Sequence, residues 1–184
     1  SFGIPAAKLG LAVDRSVIEA YEAVVDRVDL DSIVERERVT RHDVKARIDE
    51  FCALAGHEHI HKGMTSRDLT ENVEQLQVCD ALVVVRGRML AVLARLAERA
   101  AEHATTVITG RSHNVPAQAT TLGKRFANAG QELLVALQRI DELIARYPLR
   151  GIKGPVGTQQ DMLDLLGSPD AVARLEEAVA VHLG

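Results

Sequence analysis

The chain has 184 residues, 47% apolar and 26% charged, with a formal net charge of -4. This is the balance of a soluble globular protein long enough for a real core. It excludes a general electrostatic pull toward nucleic acid, and no apolar run approaches a membrane span or opens the chain as a signal peptide.

Trp is absent and aromatics make up 3% of residues, while Ala, Val, Leu, Arg and Glu dominate, which favours helices packed on helices. Cys52 and Cys79 have no metal-like spacing and read as two reduced thiols of a cytosolic protein. The first residue is Ser and the last segment stops in mid-pattern, so the chain is expected to be a fragment.

In chain order, Ser16 is the candidate N-cap of a short helix with Val17, Ile18, Tyr21, Val24, Val25 and Val28 on one stripe. Asp31 to Arg38 reads as one or two further polar turns. Thr40-Arg41-His42-Asp43 then starts a helix whose apolar positions are Val44, Ile48, Phe51, Cys52 and Ala55, and Gly56 ends it. Locally, Arg41 and His42 are also what a solvated helix start would carry.

The stretch from Gly56 to Thr70, GHEHIHKGMTSRDLT, is a polar island with His57, His59 and His61 at alternate positions, then a Gly-Met turn and the hydroxyls of Thr65 and Ser66. It precedes the longest apolar-periodic segment, which places it at a helix N-terminus. Free backbone N–H groups and the positive end of the helix dipole favour an anion there. Thr65 with Asp68 three residues on is equally an ordinary capping box. The two readings are compatible, because a capped helix end can still present donors to a ligand.

The long helix is expected from about Arg67 to Ala104, on the order of 55 Å at 1.5 Å per residue. Val78, Leu82, Val85, Met89, Val92 and Leu96 form one stripe, and Leu69, Val73, Leu76, Val83 and Leu90 a second. A helix apolar on two faces needs more than one neighbour, as in an elongated bundle shared between subunits. Gly87 inside it marks a plausible close helix crossing. Thr109 to Gln118 follows as an aperiodic loop, chemically richer than a helix connection needs. In it His113 could act as general acid or base, and Arg111 and Ser112 could bind anions; a lone surface histidine is the plainer reading.

A second long helix runs from about Thr121 to Tyr147, and Pro148 ends it. Arg150 to Gln159 holds three glycines and a lysine before a helix start, yet lacks the Gly-Lys-Ser/Thr spacing of a Walker A loop. Its glycines would serve close chain approach or positive φ. Gln159 to Leu166 and Ala171 to Leu183 read as shorter helices, with Ser168-Pro169 starting the last.

Four motifs in this order, TRHDV at Thr40 to Val44, HKGMTSRD at His61 to Asp68, GRSHNVPAQATTLGKRFA at Gly110 to Ala127 and GIKGPVGTQ at Gly151 to Gln159, resemble the adenylosuccinate lyase family of the fumarase and aspartase superfamily. The resemblance covers nearly the whole chain. It implies an all-α fold, with a small N-terminal helical domain over residues 1–84 and the opening long helices of an elongated central bundle over 85–184, the boundary falling inside the long helix. It also implies a cytoplasmic homotetramer with shared active sites and no metal or organic cofactor. Its small-molecule substrates would be adenylosuccinate and the succinyl-carboxamide intermediate SAICAR, each split to release fumarate. Neither nucleic acid nor membrane is an implied partner.

Residue by residue, the resemblance makes His113 the group that protonates the leaving nitrogen, with Ser112 standing where the family usually has Thr. His42 lies beside the general acid, and Arg41 of the same motif is assigned to substrate. His61 lines the site, Thr65 and Ser66 hold the succinyl carboxylates, and Gln159 binds substrate. The superfamily's Ser-rich loop, which supplies the catalytic base serine, has no counterpart here, nor has the family's N-terminal Arg-Tyr phosphate contact. The chain is therefore expected to be the first part of one more than twice as long, and inactive alone. A sister lyase, such as argininosuccinate lyase, would share the fold, but the TRHD and GMTSRD motifs weigh against it. A non-catalytic helical assembly protein would explain the long stripes but not three polar loops each placed at a helix start.

Overall fold

The computed structural model describes residues 13–184, so residues 1–12 of the expected N-terminal domain lie outside the described residues. Helices dominate: α1 (Arg15–Glu22), α2 (Leu30–Thr40), α3 (Asp43–Ala55), α4 (Ser66–Glu102), α5 (Leu122–Ala145), α6 (Gln160–Leu166) and α7 (Pro169–Leu183), with strands β1 (Val107–Ser112) and β2 (Val115–Thr121) between α4 and α5. The helical frame matches the all-α expectation. The chain divides inside α4 into two compact units, one reaching Glu74 and resuming over Leu149–Gly184, the other Gln75–Pro148.

In the first unit the caps follow ordinary chemistry. Asp29 caps α2 by accepting from Ser32 N–H at 3.0 Å, Gly56 ends α3 in the left-handed region, and Ser168 caps α7 with Pro169 at its first position. Helix α1 starts two residues earlier than expected, with Asp14 rather than Ser16 at its N-cap. It ends at Glu22, so Val25 and Val28 leave the stripe and are exposed. The β-branched pair Val24-Val25 propagates a helix poorly, and of the two only Val24 is buried. Helix α2 is longer than the expected turn or two, yet it buries no residue.

Two apolar clusters stabilise this unit. Val17, Tyr21, Ile48 and Cys52 pack between α1 and α3, with Phe51 and Ile60 against them. Ile152, Met162, Val172, Leu175 and Val179 pack between α6, α7 and the segment before them, with Met64 against them. The buried Glu50 carboxylate accepts from Asp29 N–H at 2.8 Å and pairs with Arg47, which stacks over Phe51. A charge this buried is tolerated because both carboxylate oxygens have donors.

In the second unit the expected aperiodic loop is instead a β-hairpin. Ser112 pairs with Val115 across a two-residue turn, His113-Asn114, with φ of 48° and 63°. Two consecutive left-handed residues give the hairpin turn whose twist matches the strands. The local reason is β-branched content at Val107, Ile108, Thr109, Val115, Thr120 and Thr121, with Asn at a position that tolerates left-handed backbone.

Helix α5 is seated on the end of α4. Thr121 caps it, Gly123 N–H donates to His103 O at 2.9 Å, and a Cβ at Gly123 would lie 2.4 Å from Ala100 O. The close approach expected at Gly87 is not made, since nothing lies within 4 Å of its Cβ position. Only Asp68 and Asn72 are buried on the whole of α4, while Val78, Val83, Val84, Val85, Leu90 and Val92 are exposed.

Candidate active site

Helix α3 begins at His42, whose ring is itself the cap: Nδ1 accepts the Lys45 N–H at 3.2 Å. Nδ1 therefore carries no proton, and the remaining ring proton is on Nε2. Nε2 lies 3.2 Å from Ser66 Oγ, so the ring donates to the serine and leaves its hydroxyl hydrogen free to point elsewhere. Thr40 Oγ1 fixes the turn by donating to His42 O at 3.1 Å. Two of the expected site residues, from segments read separately in the sequence, are thus in direct contact.

Ser66 opens α4, so its hydroxyl stands among the free N–H groups of that helix start. Asp68, one of two completely buried side chains of the helix, is the anchor of this end. Its Oδ2 accepts the Thr65 N–H at 2.9 Å, the reciprocal half of a capping box. Its Oδ1 accepts the Lys153 N–H at 2.9 Å and Arg150 Nε at 3.2 Å, and Gly154 N–H approaches both oxygens. One turn on, Asn72 bonds both backbone groups of Gly151, donating to its O at 2.8 Å and accepting from its N at 3.1 Å. The glycine loop is thereby tied to the helix that carries the hydroxyl pair. Gly151 stands at φ 73°, where a side chain is strained, and a Cβ there would lie 2.8 Å from Glu176 Oε1 and displace that side chain.

Arg150 also pairs with Glu71, whose carboxyl is held below the usual range chiefly by that hydrogen bond. Gln159 is half-buried in left-handed backbone, and its side-chain amide donates to Ile152 O at 2.8 Å, closing the same loop. The bond leaves its side-chain oxygen and second amide hydrogen for other partners.

The histidine island is held from α1. Tyr21 Oη donates to His57 O at 2.5 Å and accepts the His59 N–H at 3.0 Å, and burial pushes its phenol up to about 12. His61 is partly buried at φ 64°. Burial lowers its pKa most; Asp68 opposes this, and the charge of Lys45 adds to the lowering. A neutral imidazole at this position can orient a ligand but supplies no standing positive charge. Arg41, at φ 53°, ends α2 and is exposed.

In the second unit, Ser112 ends β1 and His113 occupies the first turn position, both exposed. The described residues hold five non-glycine positive-φ positions: Arg41, His61, His113, Asn114 and Gln159. All but Asn114 are among the expected site residues. Such backbone costs energy and persists where the surrounding structure enforces it, most often at functional sites. Sequence reasoning missed Asp68 as an anchor and Tyr21 altogether; for Tyr21 the only signal was a polar-tipped aromatic on an apolar stripe.

The family profile described as "Lyase" matches residues 5–162. The chain is 37% identical to adenylosuccinate lyase of Saccharomyces cerevisiae over 187 aligned positions, covering 96% of this chain and 38% of that protein. It is 32% identical to adenylosuccinate lyase of Schistosoma mansoni over 182 positions, again 96% and 38% of the two chains. The chain thus spans little more than a third of the length of these curated relatives. Among solved structures, the fold is shared with a 3-carboxy-cis,cis-muconate lactonizing enzyme from Pseudomonas putida at a TM-score of 0.83 and 23% identity, over 99% of this chain and 42% of that one. With the profile matched over most of its length, the chain belongs to the lyase family.

Proposed function

We propose that the chain is part of an adenylosuccinate lyase, which eliminates fumarate from adenylosuccinate to give AMP and from SAICAR in the same way. The observation that carries the reading is the coincidence of motif and geometry: four of the residues picked out by the adenylosuccinate lyase motifs stand in left-handed backbone, and a fifth, His42, bonds to a sixth, Ser66. The curated relatives bearing that name support it over nearly the whole chain.

The elimination removes a proton from the carbon β to the amine, breaks the C–N bond and leaves the electron pair on nitrogen. In this reading Ser66, freed to donate by the His42 bond, and Thr65 hold the succinyl carboxylate on which negative charge grows during proton removal. His113 delivers the proton that makes the exocyclic amine a competent leaving group. His61, Arg41, Ser112 and Gln159 bind and orient the substrate, and the base serine comes from sequence outside this chain. No cofactor enters the scheme. Assembly as a cytoplasmic homotetramer, with active sites shared between subunits, belongs to the same reading, as does a domain boundary at residues 84/85. The exposed valines of α4, with Leu90, support the assembly, since a face of that kind is ordinarily buried by a neighbour. Ultraviolet absorbance of the full-length enzyme with adenylosuccinate and with argininosuccinate tests the reading. Turnover of adenylosuccinate alone supports it, and turnover of argininosuccinate alone refutes it.

A further inference from the structure

We propose that a groove on the flank of the β1–β2 hairpin binds a phosphate-bearing small molecule. The groove, about 300 Å³, is bounded by Arg111 on β1, Gln118 on β2 and Lys124, Arg125 and Asn128 in the first two turns of α5. It exists because the hairpin is irregular at this point. Gly110 pairs with Gln118 but Arg111 pairs with Pro116, so Ala117 is an extra residue on β2. A bulge bends the strand and opens the ladder, and Pro116 has no N–H to close it.

The charge in the groove is uncompensated. Arg111 spends one guanidinium hydrogen on Asn114 O at 3.0 Å, and among the described residues none of Arg111, Lys124 and Arg125 pairs with a carboxylate. All three side chains belong to exposed residues. Lys124 and Arg125 occupy the first turn of α5, where no acidic residue sits, so the helix dipole adds to their mutual repulsion. Two cations in that position are the reverse of the usual arrangement, and an anion in the groove relieves both effects.

The chemistry favours phosphate over a single carboxylate. Two guanidinium forks can each take two oxygens of one group, the lysine adds a point charge, and the Gln118 and Asn128 amides add neutral donors. Because the chain as a whole carries a net charge of -4, it repels anions in general, and saturable anion binding has to be local. The His113 turn is not part of the groove's lining.

The test is a titration of the 184-residue chain with inorganic phosphate and with pyrophosphate at low ionic strength, followed by backbone amide NMR. Saturable shifts confined to Gly110–Arg111, Gln118–Thr120 and Lys124–Asn128 are expected. Lys124→Gln, Arg125→Gln and Arg111→Gln should each weaken binding by about tenfold, the loss of one charge-assisted bond. The three single variants guard against one that fails to fold. Shifts that do not saturate, that scatter over other basic residues, or that persist unchanged in the variants overturn the proposal. So does a flat phosphate titration with variants that alter sedimentation, in which case the groove takes an acidic surface of a second copy.

Discussion

His42 and Ser66 meet across two helix starts, with Nε2 of the ring 3.2 Å from the serine Oγ while Nδ1 accepts the Lys45 N–H. The cap bond selects the tautomer, the tautomer makes the ring a donor, and the donor turns the serine hydroxyl hydrogen outward. A residue that looks like a solvated helix start thus sets the direction of a hydroxyl twenty-four positions away.

Ser66→Ala in the full-length enzyme should lower turnover by about two orders of magnitude, as for one lost oxyanion donor. If Ser66 serves only the helix start, the cost is instead about 1 kcal/mol of stability with normal kinetics. Melting and turnover measured on the same variant separate these outcomes.

His113 stands in left-handed backbone at the hairpin tip. His113→Gln should cut turnover roughly 10²- to 10⁴-fold with substrate binding near normal. His113→Gly should abolish turnover equally yet raise stability by about 1 kcal/mol, because glycine adopts that backbone without the Cβ penalty. Retention of most turnover in the Gln variant would pass the acid role to His42 or His61.

Asp68 is completely buried, and its carboxylate collects Thr65, Lys153 and Gly154 N–H groups and Arg150. Asp68→Ala leaves the three N–H groups without their acceptor and Arg150 with only Glu71 and Gly154 O as partners. The expected loss is about 3 kcal/mol of unfolding free energy in urea, the lower end for a broken buried pair because Arg150 keeps its bond to Glu71. A loss below about 1 kcal/mol would mean that the glycine loop is held by other contacts.

His61 gives a pH dependence of definite sign. Its folded-state pKa is lowered, chiefly by burial, so below the ordinary histidine range of about 6.5 the unfolded chain binds more protons than the folded one. Its contribution to stability is complete above that range and is lost as pH falls through it toward the folded pKa. The Glu71–Arg150 pair has the same sign but acts at lower pH, below the ordinary carboxylate range. His61→Asn, which keeps tolerance of left-handed backbone, should flatten the melting temperature between pH 7 and the lowered pKa. An unchanged slope would place the titration elsewhere.

The helices were legible because their apolar spacing, the Thr121 and Ser168 caps and the Gly56 terminator are local signals. The hairpin was not, because nearly all of it faces water and β2 is exposed over its first five positions, without the alternation that a half-buried strand shows. Its turn is His-Asn rather than Asn-Gly, which hides the hairpin signature. Asp68 looked like the far half of a capping box, and half of that box is present; its other partners lie more than eighty residues downstream, where no local pattern reaches. Motif resemblance named Arg41, His61, His113 and Gln159, but nothing in their spacing foretold the left-handed backbone that they share.

The most direct test is product analysis by proton NMR, with adenylosuccinate supplied to the full-length enzyme and, separately, to the 184-residue chain. Equimolar fumarate and AMP from the full-length enzyme, and neither from the chain alone, is the expected result. Fumarate released by the 184-residue chain alone would contradict the assignment of the base to sequence outside it, and adenylosuccinate left intact by the full-length enzyme would contradict the lyase assignment itself.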